Sequence, residues 1–236
     1  MPQPKLFSVI DKAVYDYNMI EKGDRILIGA SGGKDSTALV EYFANRSRRP
    51  NAGFTYTAVH IETDFASCGM NPRLMSLFSE WNVDYKTIFV DVMNRLKEGH
   101  KMSCYWCSSQ RRNELMHYAM NNGYNKLVLG HHMDDILETL IMNIMGKSEL
   151  STMPPRLKYE NYPLTLLRPL CYADIKMIVE HAKAAGYICT TCTCDYQDNS
   201  GRKDARRRLE GLSDGDHAFK EKMFNALRNI KSEYLP

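Results

Sequence analysis

Four short stretches of this 236-residue chain concentrate residue types that do chemistry. The first, Ala30 to Thr37 (ASGGKDST), follows the apolar run RILIG and precedes ALVEYF. Gly32 and Gly33 tolerate positive φ and close backbone approach, while Ser31 and Ser36 add hydroxyls, so the N–H groups at the start of a helix beginning near Asp35 can converge on one anion. A phosphate fits such a turn, and so does an ordinary strand-to-helix connection. Neither the G-x-x-x-x-G of a Walker loop before Lys34 nor a G-x-G-x-x-G is present. The second stretch, GHHMDD from Gly130, sets two imidazoles beside two carboxylates. Asp134, ahead of Asp135, suits a Mg²⁺ ligand or a proton acceptor; both acids equally suit the N-cap of a helix, with Glu138 following. His131 and His132 at such a place are commonly hydrogen-bonded structural residues. In the third, Cys104-Tyr-Trp-Cys107, two thiols share one turn, an arrangement open to zinc, a redox disulfide or an iron–sulfur cluster. The fourth, CTTCTC, supplies Cys189, Cys192 and Cys194 and leads to Arg202, Lys203, Arg206, Arg207 and Arg208. These cations, with Arg111 and Arg112, either contact RNA phosphates or form a solvated helix face. Tyr105 and Trp106 either stack on an exposed base or shield the cysteines.

The elements that must position these stretches alternate. Helical spacing of apolar residues marks FSVIDKAVYDYNMI, DSTALVEYFANRS, residues 72 to 81, SSQRRNELMHYAMNN and DDILETLIMNIMG. Between them ILIGA, TYTAVHIE, YKTIFVDV and KLVLG have strand character. Strands alternating with helices predict an α/β fold, a doubly wound parallel sheet with helices on both faces, an N-terminal helix and a Cys-rich basic C-terminal segment. Ligands of such sheets bind beyond the carboxyl ends of the strands, where ILIGASGG, AVHIETD and VLGHHMDD meet. After Ser151 the alternation weakens under Pro154, Pro155 and Pro163, and YADIKMIVEHAKAAG is the last clear helix. A hydrophobic content of 44% supports one sizeable core, and a net charge of +3 does not by itself point to nucleic acid. Charges scattered through the N-terminal apolar positions argue against a secretory signal, and no stretch approaches the roughly 18 residues of a membrane span. A cytoplasmic enzyme without a membrane partner is therefore expected. In a reducing compartment the seven cysteines favour metal or redox chemistry over disulfides; Cys68 and Cys171 look like ordinary buried thiols.

S-G-G-K-D-S after an apolar strand resembles the PP-loop of the ATP pyrophosphatases. DYNMIEKGDRI from Asp16, Cys104-x-x-Cys107 with Arg111 and Arg112, GHHMDDILETL, MPPRL from Met153 and RPL from Arg168 are similar, in that order, to the tRNA 2-thiocytidine synthetase family. The resemblance implies ATP- and iron–sulfur-dependent tRNA thiolation: adenylation of a pyrimidine carbonyl and replacement of its oxygen by sulfur, giving 2-thiocytidine at tRNA position 32. It implies that Ala30, Ser31, Gly32, Gly33 and Ser36 hold pyrophosphate, with Asp35 shaping the loop or approaching Mg²⁺. Backbone at Val59, His60 and Ile61 would form the adenine site, and Gly130 would line the pocket. Asp134 and Asp135 would serve catalysis. Cys104, Cys107 and a third cysteine would bind a [4Fe–4S] cluster with one iron open.

For the third ligand Cys194 keeps the family's register, with Gln197, Asn199 and Arg202 following; the family's usual P-C-x-x-C is absent, so Cys192 stays open. The resemblance further implies a tRNA substrate and a sulfur donor, either a cysteine desulfurase or sulfide, with a homodimer among the assemblies open to the chain. The expected division is residues 1–170 as the ATP pyrophosphatase domain and 171–236 as an extension packed on it. The alternative is a sulfurtransferase or ligase acting on another tRNA position or a small molecule, with structural zinc at the cysteines.

Overall fold

The computed structural model describes residues 3–64, 69–96, 99, 101–187 and 200–234. Its sheet has six strands: β1 (Arg25–Gly29), β2 (Thr55–Thr63), β3 (Tyr85–Val90), β4 (Lys126–Val128), β5 (Arg156–Lys158) and β6 (Thr165–Leu167), in the order β3-β2-β1-β4-β6-β5. All neighbours run parallel except β5, which closes one edge antiparallel to β6. The doubly wound α/β expectation therefore holds. Strands β5 and β6 are an addition to it: three residues each, bounded by prolines, they are too short for an alternating pattern to register.

Successive residues of each strand face opposite sides. Ile26, Ile28, Val128 and Leu167 enter one core. Leu27, Leu127 and Leu166 enter the other. The first core is covered by α1 (Lys5–Asp16), α2 (Lys34–Ser47), α3 (Pro72–Glu80), α5 (Met133–Lys147) and α6 (Ile175–Ala184). The second lies under α4 (Cys104–Asn121), whose Leu115 and Ala119 pack on it. Helices α7 (Ser200–Ser213) and α8 (His217–Ala226) pack on α5.

Connections decide which helix ends reach the site. Because β3 and β4 point the same way, α4 must run back between them, and its first turn lies at the carboxyl edge of the sheet. Both α2 and α5 leave from that edge directly after β1 and β4. The opposite, amino edge is closed by the segment around Asp24. This buried carboxylate accepts from the Glu21 N–H at 2.7 Å and from Asn125 Nδ2 at 2.8 Å, and lies 3.7 Å from the buried Lys126 ammonium. Lys126 also pairs with Glu21 at 3.0 Å.

Candidate active site at the carboxyl edge

The glycine turn is built by its own residues. Ala30 donates its N–H to the Val59 carbonyl at 2.8 Å, and the Ala30 carbonyl lies 2.8 Å from Nδ1 of buried His60, so the end of β2 braces the turn. The side chains of Val59 and Ile61 point into the core beneath α4, which leaves only their backbone for a ligand. Gly32 has φ +83°, a left-handed conformation that glycine alone adopts without strain. Ser36 Oγ accepts from the Ser31 N–H at 3.1 Å, donates to the Gly33 carbonyl at 3.0 Å and lies 3.0 Å from Ser31 Oγ. Gly33 then caps α2 with its carbonyl accepting from the Thr37 N–H. Fastened this way, the first turn of α2 presents backbone donors that have no acceptor within the helix, together with the positive end of its dipole.

Gly130 meets this turn directly. A methyl group there would sit 3.2 Å from the Ser36 nitrogen and 3.3 Å from Asp35 Cβ, so the absence of a side chain lets the end of β4 press against the loop. Asp35 itself pairs with Lys34 Nζ at 3.1 Å.

The two following acids are turned to different tasks. His132 is the N-cap of α5, and Asp135 Oδ2 accepts its N–H at 3.1 Å, the return half of a capping box. The other Asp135 oxygen accepts from Arg202 at 3.0 Å. Asp134 points away from the loop: its oxygens accept from the Ile175 N–H at 2.8 Å and from Lys220 Nζ at 2.7 Å, and Lys220 is only 1% exposed. Burial disfavours charge on Asp134, yet His132 and Lys220 outweigh it and hold its pKa well below the usual range. Asp134 thus ties α5 to α6 and α8, while Asp135 closes the first turn of α5 and holds Arg202 of α7.

His131 lies between like charges. Arg168, buried at the end of β6, directs Nε toward His131 Nδ1 at 3.4 Å and donates from Nη1 to the Pro154 carbonyl. Burial, opposed by Asp135 and reinforced by Arg168 and Arg202, pushes the His131 pKa down to about 4. Burial also lowers Arg168, to about 10, with Tyr159 opposing and Arg112 of α4 reinforcing the shift. Burial likewise works against charge on His132, but Asp134, Asp135 and Asp35 raise its pKa overall. Segments distant in sequence therefore converge here: MPPRL and RPL through Pro154 and Arg168, and α4 through Arg112.

Cys104 and Cys107 occupy the first turn of α4, capped by Ser103, whose Oγ accepts from the Trp106 N–H at 3.1 Å. Both thiols are half-buried. Sequence periodicity started this helix only at Ser108; beginning it at Cys104 puts the pair at the positive end of the helix dipole. Arg112 lies five residues further, about 7 Å along the axis. Cys171 is fully buried and its thiol is pushed up to about 12 by that burial, an inert core residue. Cys68, Cys189, Cys192 and Cys194 lie outside the described residues.

The four arginines of the basic tail all make ion pairs. Arg206 donates to buried Glu138 at 2.7 Å and Arg202 reaches the same carboxylate at 3.4 Å, so these two cations fasten α7 to α5. Arg207 and Arg208 share Asp204. Lys220 is the residue of this network absent from the sequence reading, a lysine within the amphipathic HAFKEKMF giving only a faint signal, and Glu138 and Arg168 were singled out only as a neighbour of the acids and as the start of RPL. A cavity of about 270 Å³ opens at the amino edge beside Glu21, Lys126, Arg156 and Lys158, where none of the loop residues reaches.

The PP-loop domain family matches residues 4–209. The tRNA-cytidine(32) 2-sulfurtransferase of Tolumonas auensis is 35% identical, with 99% of this chain and 78% of that protein covered. The protein of the same name from Legionella pneumophila strain Paris is 32% identical, with 99% and 83% covered. Among solved structures, the U34-tRNA thiolase NcsA from Methanococcus maripaludis with its [4Fe–4S] cluster has a similar fold at TM-score 0.74 and 16% identity, covering 96% of this chain and 80% of that one. NMN synthetase from Francisella tularensis follows at TM-score 0.56 and 14% identity, covering 97% and 94%.

Proposed function

The chain belongs to the PP-loop domain family, and from that premise we propose that it is an ATP-dependent tRNA thiolase forming 2-thiocytidine, at position 32 as in the names of its relatives. The observation that carries the proposal is convergence. The glycine turn at Ala30 to Ser36 and a pair of thiols at the start of α4 lie at the same edge of one sheet, and Arg112 of α4 acts on buried Arg168 at the end of β6.

Oxide is a poor leaving group, so the carbonyl oxygen at C2 of cytosine is first made into a good one. That oxygen attacks the α-phosphorus of ATP, the bond to the bridging oxygen of the β-phosphate breaks, and pyrophosphate leaves. A sulfur nucleophile then adds at C2, and AMP departs carrying the original oxygen. In this scheme the first turn of α2, Ser31 and Ser36 hold the pyrophosphate moiety, and the backbone of Val59, His60 and Ile61 flanks the adenine. The side-chain-free surface of Gly130 admits the nucleotide beside the loop. Neutral His131 and Arg168 are assigned to the developing negative charge, and Asp35 with Asp135 to the Mg²⁺ side of the triphosphate.

The residues fit an iron–sulfur cluster in donor chemistry: two half-buried thiols share one turn at a helix N-terminus. The third ligand is assigned to Cys194, on the family register that Gln197, Asn199 and Arg202 keep, with Cys192 as the alternative. When bound, the [4Fe–4S] group supplies an open iron for the sulfur to be transferred. Sulfide or a cysteine desulfurase is the proposed donor, a homodimer the proposed assembly and the cytoplasm the proposed compartment. No helix among the described residues is long and apolar enough to cross a membrane. Residues 1–170 are proposed as the ATP pyrophosphatase unit and 171–236 as its extension.

The test is anaerobic reconstitution with iron and sulfide, then reaction with ATP, Mg²⁺ and unmodified tRNA and nucleoside analysis. Expected are 2-thiocytidine and equal amounts of AMP and pyrophosphate. A fully assembled protein that yields AMP but no thionucleoside overturns the proposal and leaves the ligase or small-molecule alternative.

A further inference from the structure

The two aromatic residues between the cysteines are treated differently by the fold. Trp106 is half-buried, packs against the core beneath α4 and has its indole Nε1 shielded from solvent. Tyr105 is 76% exposed. On a helix, residues 105, 108 and 112 lie on one face, and here all three are exposed. From Gly99 to Asn113 the sequence has no acidic residue but includes Lys101, Arg111 and Arg112. Among the described residues these three cations make no ion pair with a carboxylate, whereas the arginines of α7 do. An exposed ring, a hydroxyl and a cation thus line the first three turns of the helix that carries Cys104 and Cys107. The ring and Arg112 are about 10 Å apart along its axis.

We propose that this stripe of α4 is the RNA-docking surface: Tyr105 stacks on an unpaired base of the substrate loop, and Arg112 contacts a neighbouring phosphate. The inference rests on the tRNA-thiolase reading of the same edge. A flat ring offers a stacking platform for any base, and a guanidinium neutralises the backbone that comes with it. The placement beside the thiols lets the docked loop present its target base to the sulfur site. The absence of acids along the stripe favours a polyanion over a protein partner with a mixed-charge surface.

The test uses the full-length reconstituted protein and an unmodified tRNA transcript. Tyr105→Ala is expected to raise the RNA Kd and the KM for RNA by on the order of tenfold, with Tyr105→Phe restoring both. Arg112→Ala is expected to weaken binding and reduce its salt dependence by about one phosphate contact. Thermal midpoint, ATP affinity and visible absorbance serve as folding controls. If the wild-type protein binds and thiolates RNA while Tyr105→Ala retains the same RNA Kd and KM, the inference is wrong and the function stands. If the wild-type protein forms no thionucleoside, the function itself fails. A defect seen only with a cysteine desulfurase as donor, and not with sulfide, marks the stripe as a protein dock and overturns the RNA assignment.

Discussion

The two edges of the sheet contain similar residue types put to opposite uses. At the amino edge, Asp24, Asn125, Lys126 and Glu21 satisfy one another across the starts of β1 and β4. At the carboxyl edge, the backbone donors of the α2 turn have no acceptor within their helix, and buried Arg168 meets neutral His131 rather than a carboxylate, the nearby acids Asp35 and Asp135 being paired with Lys34 and Arg202. Buried polar groups that close on themselves contribute to stability; those left short of counter-charge are suited to a ligand. The comparison says that stability and nucleotide affinity should respond separately to changes at the two edges.

The largest effect on stability is expected at the amino edge. Asp24→Ala leaves the buried ammonium of Lys126 with only the exposed Glu21 carboxylate and orphans the Asn125 amide. Breaking one half of such a buried pair costs about 3 kcal/mol, or a fall in thermal midpoint of about 6 to 12 °C for a chain of this size. ATP affinity, measured by calorimetry on the folded fraction, should stay within about twofold. A loss of affinity matching the loss of stability would show that the edges are not independent.

Gly32→Ala is the reciprocal change. A Cβ at φ +83° costs roughly 1–2 kcal/mol, and relieving that strain reshapes the turn that grips phosphate. ATP affinity is expected to fall by on the order of tenfold, with the thermal midpoint lowered much less than by Asp24→Ala. Unchanged ATP affinity would remove the loop from the site.

How far each edge could be read from sequence follows from how local its contacts are. The glycine turn is made by eight consecutive residues, Ala30 to Thr37, so its type, its position after β1 and its capping of α2 were all legible. The six-residue stretch from Gly130 to Asp135 was legible only as a cluster. The separate partners of its two acids were not legible, because those of Asp134, Ile175 and Lys220, lie 41 and 86 residues away from it. The same holds for the tail: five cations in sequence leave an open face as one reading, and only the fold shows that buried Glu138, 68 residues from Arg206, pairs with that arginine. Strands β5 and β6 escaped notice for a different reason, being three residues long and bracketed by prolines.

A smaller effect is expected from pH, since two adjacent imidazoles oppose each other. The pKa of His131 is lowered to about 4, so between the ordinary value of about 6.5 and about 4 the unfolded chain binds a proton that the folded chain refuses. Stability through this group therefore falls as pH drops across that window. His132 is raised; its contribution is complete below about 6.5 and is lost as pH rises through its folded value. His131→Gln should flatten the acid side of a thermal-midpoint profile, and His132→Gln the neutral-to-alkaline side. Asp134, whose pKa is lowered, contributes stability above about 3.9 that is lost on further acidification, a separate window. If His131→Gln leaves the profile between pH about 4 and about 6.5 unchanged, the burial of His131 beside Arg168 and Arg202 is not a feature of the folded protein.

The smallest effect is expected on α7, one of the two cation clusters for which the sequence leaves RNA contact open. Arg207 lies on the outer side of α7 and shares the Asp204 carboxylate with Arg208. Removing one of two cations that serve one acid leaves the acid paired, and an exposed pair contributes little in water. Arg207→Ala should therefore leave the thermal midpoint unchanged. It should alter the RNA Kd by less than about twofold, with a salt slope indistinguishable from that of the unaltered protein. Arg112→Ala, on the acid-free face of α4, should change both. If the two variants exchange these outcomes, the basic tail rather than the cysteine-bearing helix meets the phosphate backbone, and the carboxyl edge extends across α7.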